Sequence, residues 1–193
     1  MKISKNTRLG TRLGSGAYKT VHAIHGTRSL CCATMKDGKV SDLECEVERL
    51  DYLKELRIPT LEHYGVHVIK GRSRLVMRRY PFHSRDAITS KNVRYLNENT
   101  LTSLKKLQKQ LRHLKVRVED LQFVIDRKGY VYVTDPQSVY EGDFGWGDES
   151  EIRGLREATA KIVRLRKKSP SVLKKLLAYR VPHYRKTWIR GGY

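Results

Sequence analysis

Acidic residues are scarce in this chain. Twenty Asp and Glu stand against 40 Lys and Arg, for a formal net charge of +20, and no acidic residue follows Glu157. That imbalance points to a polyanionic partner, nucleic acid included, without choosing a fold or a reaction. The stretch "KIVRLRKKSPSVLKKLLAYRVPHYRKTWIR" alone carries eleven Lys and Arg. It reads either as a solvated helical face or as a docking surface for an anionic partner. Cysteine is also sparse: of three, Cys31 and Cys32 are adjacent and Cys45 stands apart. This excludes a disulfide framework and a CxxC metal site, and fits a reducing compartment. No window approaches the roughly 18 apolar residues of a membrane span, so no membrane association is expected. "MKISKNTRLG" has no apolar run behind its positive charges, so it does not read as a secretory leader. Internal repeats and low-complexity tracts are missing too, which leaves one continuous domain, expected as a monomer. At 193 residues it has room for two small lobes sharing a cleft.

What is present changes period halfway along. "TRLGSGAYKTVHAI" and "SLCCATMK" read as strands around glycine turns, and "HVIKGRSRLVMRRY" as a hairpin turning at Gly71. Between them "SDLECEVERLDYLKEL" predicts a helix capped by Ser41 or Asp42 and closed before Pro59. Past Tyr80-Pro81, Leu101, Leu104, Leu107, Leu111 and Leu114 mark one face of an amphipathic helix. A hairpin, "VEDLQFVIDRKGYVYVTDPQSV", follows, and then helices in "DESEIRGLREATAKIVRLRKK" and "SPSVLKKLLAYR". The expected class is α+β, with a strand-rich lobe over residues 1–79 and a mostly helical one over residues 80–193.

Several side chains suggest phosphate chemistry. Gly14 and Gly16 in "LGSGAYKTV" lie on a strand-turn-strand, where missing Cβ atoms let backbone N–H groups approach phosphate oxygens. Lys36, ending "CCATMK", is placed to reach under that turn. Glu46 shares the buried helix face with Leu43, Leu50 and Leu53. A carboxylate there needs a partner, and a Lys36–Glu46 ion pair is expected.

In order and spacing these segments resemble the small lobe of the eukaryotic-type protein kinase superfamily. "GSGAYKTV" resembles the glycine loop, with Lys19 where the family has its third glycine. "CATMK" resembles Val-Ala-Ile-Lys, "CEVERLDYL" the start of the regulatory helix, and "RLVMRRYP" the strand leading to the hinge. The resemblance implies a bilobal kinase-like fold with a reduced helical C-lobe. ATP would be held by Gly14, Ser15, Gly16, Val21, Lys36, Met77 (the gatekeeper) and Arg79. Asp120 would orient the attacking hydroxyl, Lys36 and Glu46 would complete the catalytic set, and Asp135 with Gln122 would hold Mg²⁺ or Mn²⁺.

Two departures matter: "VED" stands for His-Arg-Asp and "TDP" for Asp-Phe-Gly. The interval from Asp120 to Gln122 is also about three residues shorter than the family pattern. Without a gap, Arg117 would fall at the catalytic Asp position. The literal "DFG" at Asp143, Phe144 and Gly145 follows no predicted strand and is read as a decoy.

"DLQFVIDRKGYVYVTDP" resembles the minimal kinases of bacterial type III effectors and polymorphic toxins, the Hop-type effector kinases above all, with phage kinases second. This implies a Ser/Thr kinase whose partner is a host protein, such as a heat-shock chaperone. The expected location is the cytoplasm, or a host cell reached by a signal not readable here. A nucleotide-binding pseudokinase and a basic nucleic-acid-binding protein are the alternatives.

Overall fold

The computed structural model describes residues 3–83, 93–143 and 146–171. The expected final helix lies almost wholly outside them, as do Phe144 and Gly145.

The N-terminal half is one antiparallel sheet. Its strands are β1 (Leu9–Ser15), β2 (Lys19–Ile24), β3 (Leu30–Met35), β4 (His63–Ile69) and β5 (Arg72–Arg78), in spatial order β1-β2-β3-β5-β4. Strand alternation sorts its side chains into two faces. Val21, Ala33, Met35 and Leu75 face helix α1 (Val40–Glu55) and pack with its Leu43 and Val47. On the opposite face Ile24, Cys32, Ile69 and Val76 are covered by Ile3, Leu9 and Leu30. The hairpin turns at Lys70-Gly71 as expected, both residues having positive φ.

Helix α1 buries Leu43, Glu46, Leu50 and Leu53, the face its spacing predicts. Its start differs from expectation. The cap is Lys39, without a side-chain cap bond, and not Ser41 or Asp42. The carboxylate of Asp37 accepts from the Lys39 backbone N–H at 3.1 Å instead, so the turn is closed ahead of Ser41 and Asp42.

The second half is built on α2 (Glu98–Leu114) and α3 (Trp146–Lys168). Asn97 and Thr100 form a capping box at the start of α2, whose Leu104, Leu107 and Leu111 enter the main core with Ile152 and Ile162 of α3. Three short strands, β6 (Phe82–His83), β8 (Gln122–Ile125) and β9 (Val131–Thr134), form a sheet in the order β6-β8-β9. A separate ribbon pairs β7 (Val116–Glu119) with β10 (Ser138–Glu141). The β8–β9 turn is pinned to α2, because the Asn97 and Asn99 amides both donate to the Lys128 carbonyl.

Backbone bonds join the two halves. Leu61 N–H donates to the Val133 carbonyl at 2.9 Å, and Val133 N–H donates to the Pro59 carbonyl at 2.8 Å. The segment leaving α1 is thereby stitched to β9, which fixes α1 relative to the residue just past β9, Asp135.

Candidate active site

Lys19 opens β2, directly opposite Met35 of β3, on the face turned to α1. Its ammonium is 2.7 Å from Glu46 Oε2 and also binds Asp135 Oδ1. One cation thus joins the strand next to the glycine turn, the helix, and the residue just past β9. Glu46 is only 5 % exposed. Burial draws the Lys19 pKa down, but the two carboxylates outweigh it and hold the group above its ordinary value. Burial pushes Glu46 upward, and the nearby Asp135 charge adds to that push against the pull of Lys19.

This corrects the expected ion pair: Glu46 pairs with Lys19, not Lys36. The reason is strand phase. Cys31, Ala33 and Met35 point toward α1, so Lys36, one residue past the strand, cannot share their direction. Lys36 is exposed, and its ammonium donates to the Gly16 carbonyl at 2.6 Å, clasping the glycine turn from outside. The signal for Lys19 was present in the sequence as its i, i+2 relation to the inward Val21.

The glycine turn is closed by the Gly16 N–H donating to the Lys19 carbonyl at 2.9 Å. A Cβ at Gly14 or Gly16 would meet nothing within 4 Å, and neither has positive φ. Neither turn geometry nor packing therefore demands glycine, and the space above both is open. Ser15 is exposed at the tip, while Val21 packs beneath on the α1 side. Met77 of β5 lies between two clusters, one with Ala33 and Leu43, the other with Leu50, Leu61 and Val124. Arg79 is exposed just beyond β5, and its backbone N–H donates to the Ser29 carbonyl at 2.6 Å.

The hairpin carries the remaining side chains. Gln122 pairs with Thr134 across the β8–β9 ladder, so Asp120, just before β8, and Asp135, just after β9, occupy the same end. Both aspartates are left-handed, with φ of 55° and 50°, a conformation that Asp tolerates better than most residues. The Gln122 amide donates to Asp120 Oδ2 at 2.8 Å. Arg49 of α1, unremarked in the sequence, donates to the Pro136 carbonyl at 3.4 Å and ties the helix to the backbone just beyond Asp135.

Asp143 lies elsewhere. Glu141 pairs with Val116, at the far end of β7 from Glu119 and Asp120. Asp143, two residues beyond Glu141, instead lines a hollow of about 480 Å³ with Leu114, Lys115, Glu141 and Gly142. Arg117 is exposed on β7 and stacks over the ring of Tyr140.

A five-stranded sheet with one packed helix, and a lysine held by a helix glutamate and by the aspartate ending a hairpin, define a small protein kinase-like fold. Comparison with known proteins supplies the family. Residues 2–158 match the type III secretion system effector HopBF1 kinase domain, and the chain belongs to that family. It is 28 % identical over 166 residues to the type III effector protein HopBF1 of Pseudomonas syringae pv. syringae (strain FF5), covering 79 % of this chain and 80 % of that protein. Kinases of this kind use ATP and a divalent metal. Among the described residues no helix is long and apolar enough to cross a membrane.

Proposed function

We propose that this chain is a protein kinase that transfers the γ-phosphoryl group of ATP to a Ser or Thr hydroxyl of a host protein, into whose cell it is delivered as an effector. A heat-shock chaperone is the substrate that the resemblance to Hop-type effector kinases favours. The observation that carries the reading is the Lys19 ammonium held between Glu46 and Asp135 beside an open glycine turn.

In this reading Lys19 neutralises phosphate oxygens, and Glu46 keeps its ammonium aimed into the cleft. The Gly14–Gly16 backbone covers the phosphates, Val21 and Met77 border the base, and Arg79 lies at the hinge. Lys36 serves the turn and not the phosphates. Asp120, held by Gln122, orients the attacking hydroxyl and accepts its proton.

Mg²⁺ or Mn²⁺ would be held by the carboxylate of Asp135 and the amide oxygen of Gln122. Hard oxygen donors in small number suit such an ion, which takes its other ligands from water and phosphate. Among the described residues no three His, Cys, Asp or Glu cluster as a metal cage, and a nucleotide-bound ion does not require one. When bound, the metal neutralises charge on the transferring phosphoryl group.

The test is phosphoryl transfer from labelled ATP to chaperone and to whole-cell extract. Wild type and Lys36→Met should both label protein, whereas Lys19→Met should not. Transfer lost in Lys36→Met but kept in Lys19→Met would refute the assignment. A wild type that binds nucleotide yet labels nothing would favour the pseudokinase, for which Val118 and Glu119, standing where the superfamily has His and Arg, and Gln122, standing where it has its metal-binding Asn, are the motive.

A further inference from the structure

The sheet face opposite α1 holds a second concentration of charge that phosphoryl transfer does not use. Arg74 on β5 is only 6 % exposed. No carboxylate among the described residues pairs with it. Its guanidinium donates to the Ile69 carbonyl at 3.2 Å and to the Thr34 hydroxyl. Those bonds occupy two of its five N–H groups, the Cys32 thiol, kept neutral by burial, is a third side-chain partner, and none of these neutral groups compensates the positive charge. A buried cation without a counter-ion is costly.

Register places the neighbours. Thr20 is paired with Ser15 on one side and with Thr34 on the other, and Thr34 is adjacent to Arg74 across the β3–β5 ladder. One step along, Arg12 of β1 is paired with His22, and His22 with Cys32. Arg74 is paired with His67 of the edge strand β4, whose Nε2 is already 2.8 Å from the Tyr64 carbonyl. These positions contribute hydroxyls, imidazoles, guanidinium groups and the Cys32 thiol, whose pKa burial raises, and no carboxylate.

His22 records their convergence. Its Nδ1 is sealed from solvent and has no hydrogen-bond partner. Burial and the charges of Arg74 and Arg12 together hold the ring below its ordinary pKa. Arg12 and Arg74 stand three strands apart, about 14 Å at the backbone, so their side chains act on His22 from opposite sides.

We propose that Arg12, His22, Arg74 and the Thr20 hydroxyl form a binding site for a phosphate group, free or carried as a monoester, on the sheet face opposite α1. Donors arriving from several strands suit a tetrahedral group with three or four acceptor oxygens better than a carboxylate with two. The approach is from the side of Arg12 and Ser15, which are exposed. Because β1 and β2 also carry the glycine turn, an anion there would stiffen the hairpin that covers the nucleotide.

The experiment follows the His22 ring by nitrogen-labelled NMR, assigned with His22→Gln, in full-length protein saturated with a non-hydrolysable ATP analogue so that the cleft is filled. Inorganic phosphate and glycerol phosphate are titrated separately against chloride at matched ionic strength. Phosphate should raise the apparent His22 pKa by about one unit or more, since an opposite charge at hydrogen-bond distance favours the protonated ring. Chloride should not. Arg12→Gln should weaken the saturable response by about tenfold or more, as loss of one charge-assisted bond would. Neutralising Lys5, Arg8 and Lys70, which line a separate basic hollow of about 600 Å³ with His25, should leave it unchanged. A response to inorganic phosphate but not to the ester restricts the site to free phosphate, and the reverse to monoesters. Equal responses to phosphate and chloride, or unaltered binding in Arg12→Gln, would overturn the proposal. Arg74→Gln is informative only if it folds; Arg12→Gln, on an exposed side chain, does not carry that risk.

Discussion

Replacing Lys19 with Met removes the partner of the only acidic side chain buried among the described residues, Glu46. The ammonium is itself well covered, with 17 % of the side chain exposed against 6 % for Glu46. Removing one member of such a pair leaves an uncompensated buried charge, which costs about 3 kcal/mol. For a chain of this size each kcal/mol moves the midpoint by a few degrees, so Lys19→Met should melt about 6–12 °C below wild type. Lys36→Met should stay within about 2 °C, because it loses only one exposed bond to the Gly16 carbonyl.

The pH dependence separates this cause from a packing defect. A carboxyl whose folded pKa lies above its unfolded value binds more protons when folded, so stability falls as pH rises between the two. Burial already raises Glu46 in wild type, and loss of Lys19 widens that window upward from about 4.5. The Lys19→Met deficit should therefore shrink as pH drops from 8 to about 5, where Glu46 takes up a proton in place of its lost partner. Glu46→Gln in the Lys19→Met background should recover most of the deficit at pH 8. Calorimetric or fluorescence melts across that range decide the matter. Equal losses for Lys19→Met and Lys36→Met, or a deficit that does not change with pH, would refute the reasoning.

The hairpin and the loop are separable by calorimetry: Asp135→Asn should weaken metal-dependent nucleotide binding by about tenfold or more, while Asp143→Asn should leave it nearly unchanged. The reverse pattern would put the metal at the hollow beside Lys115. Asp120→Asn should keep nucleotide binding but lower transfer by on the order of 10², and Arg117→Ala, which loses only its contact with Tyr140, should lower it little. Asn97→Ala, removing the α2 cap and a bond to the Lys128 carbonyl, should cost about 1 kcal/mol and appear as a lower melting midpoint with activity retained.

Much of the scaffold was legible in the sequence because local chemistry decides it. The Lys70-Gly71 turn, the α1 face through Leu43, Glu46, Leu50 and Leu53, and the α2 face through Leu104, Leu107 and Leu111 follow from turn residues and helical period alone, although Leu101 is only half-buried and Leu114 is exposed at the end of α2. The two aspartates at one end of a hairpin follow from a single Lys-Gly turn between short strands. The β7–β10 ribbon was not legible, since its four-residue strands are selected by each other across a long interval and carry little pattern of their own.

The expected Lys36–Glu46 ion pair has a sharper lesson. "CATMK" matches a strand ending in lysine, but a match to a motif does not state the phase of a strand, and one step of phase exchanges the faces of a sheet. The inward series Cys31, Ala33, Met35 leaves an apolar residue beside Glu46, so the cation has to come from the neighbouring strand. Lys19 supplies it from the position directly opposite Met35.

The same alternation explains why two charged side chains buried against one sheet differ in their circumstances. Glu46 on α1 meets the inward face and finds Lys19 there. Arg74, on the outward face of the same sheet, finds one hydroxyl, a carbonyl, a thiol and a depressed histidine. In a chain with twice as many bases as acids, a buried acid has a counter-ion within reach of almost any position. A buried base has few, and the partner missing at Arg74 is one that an anion from outside the chain can provide.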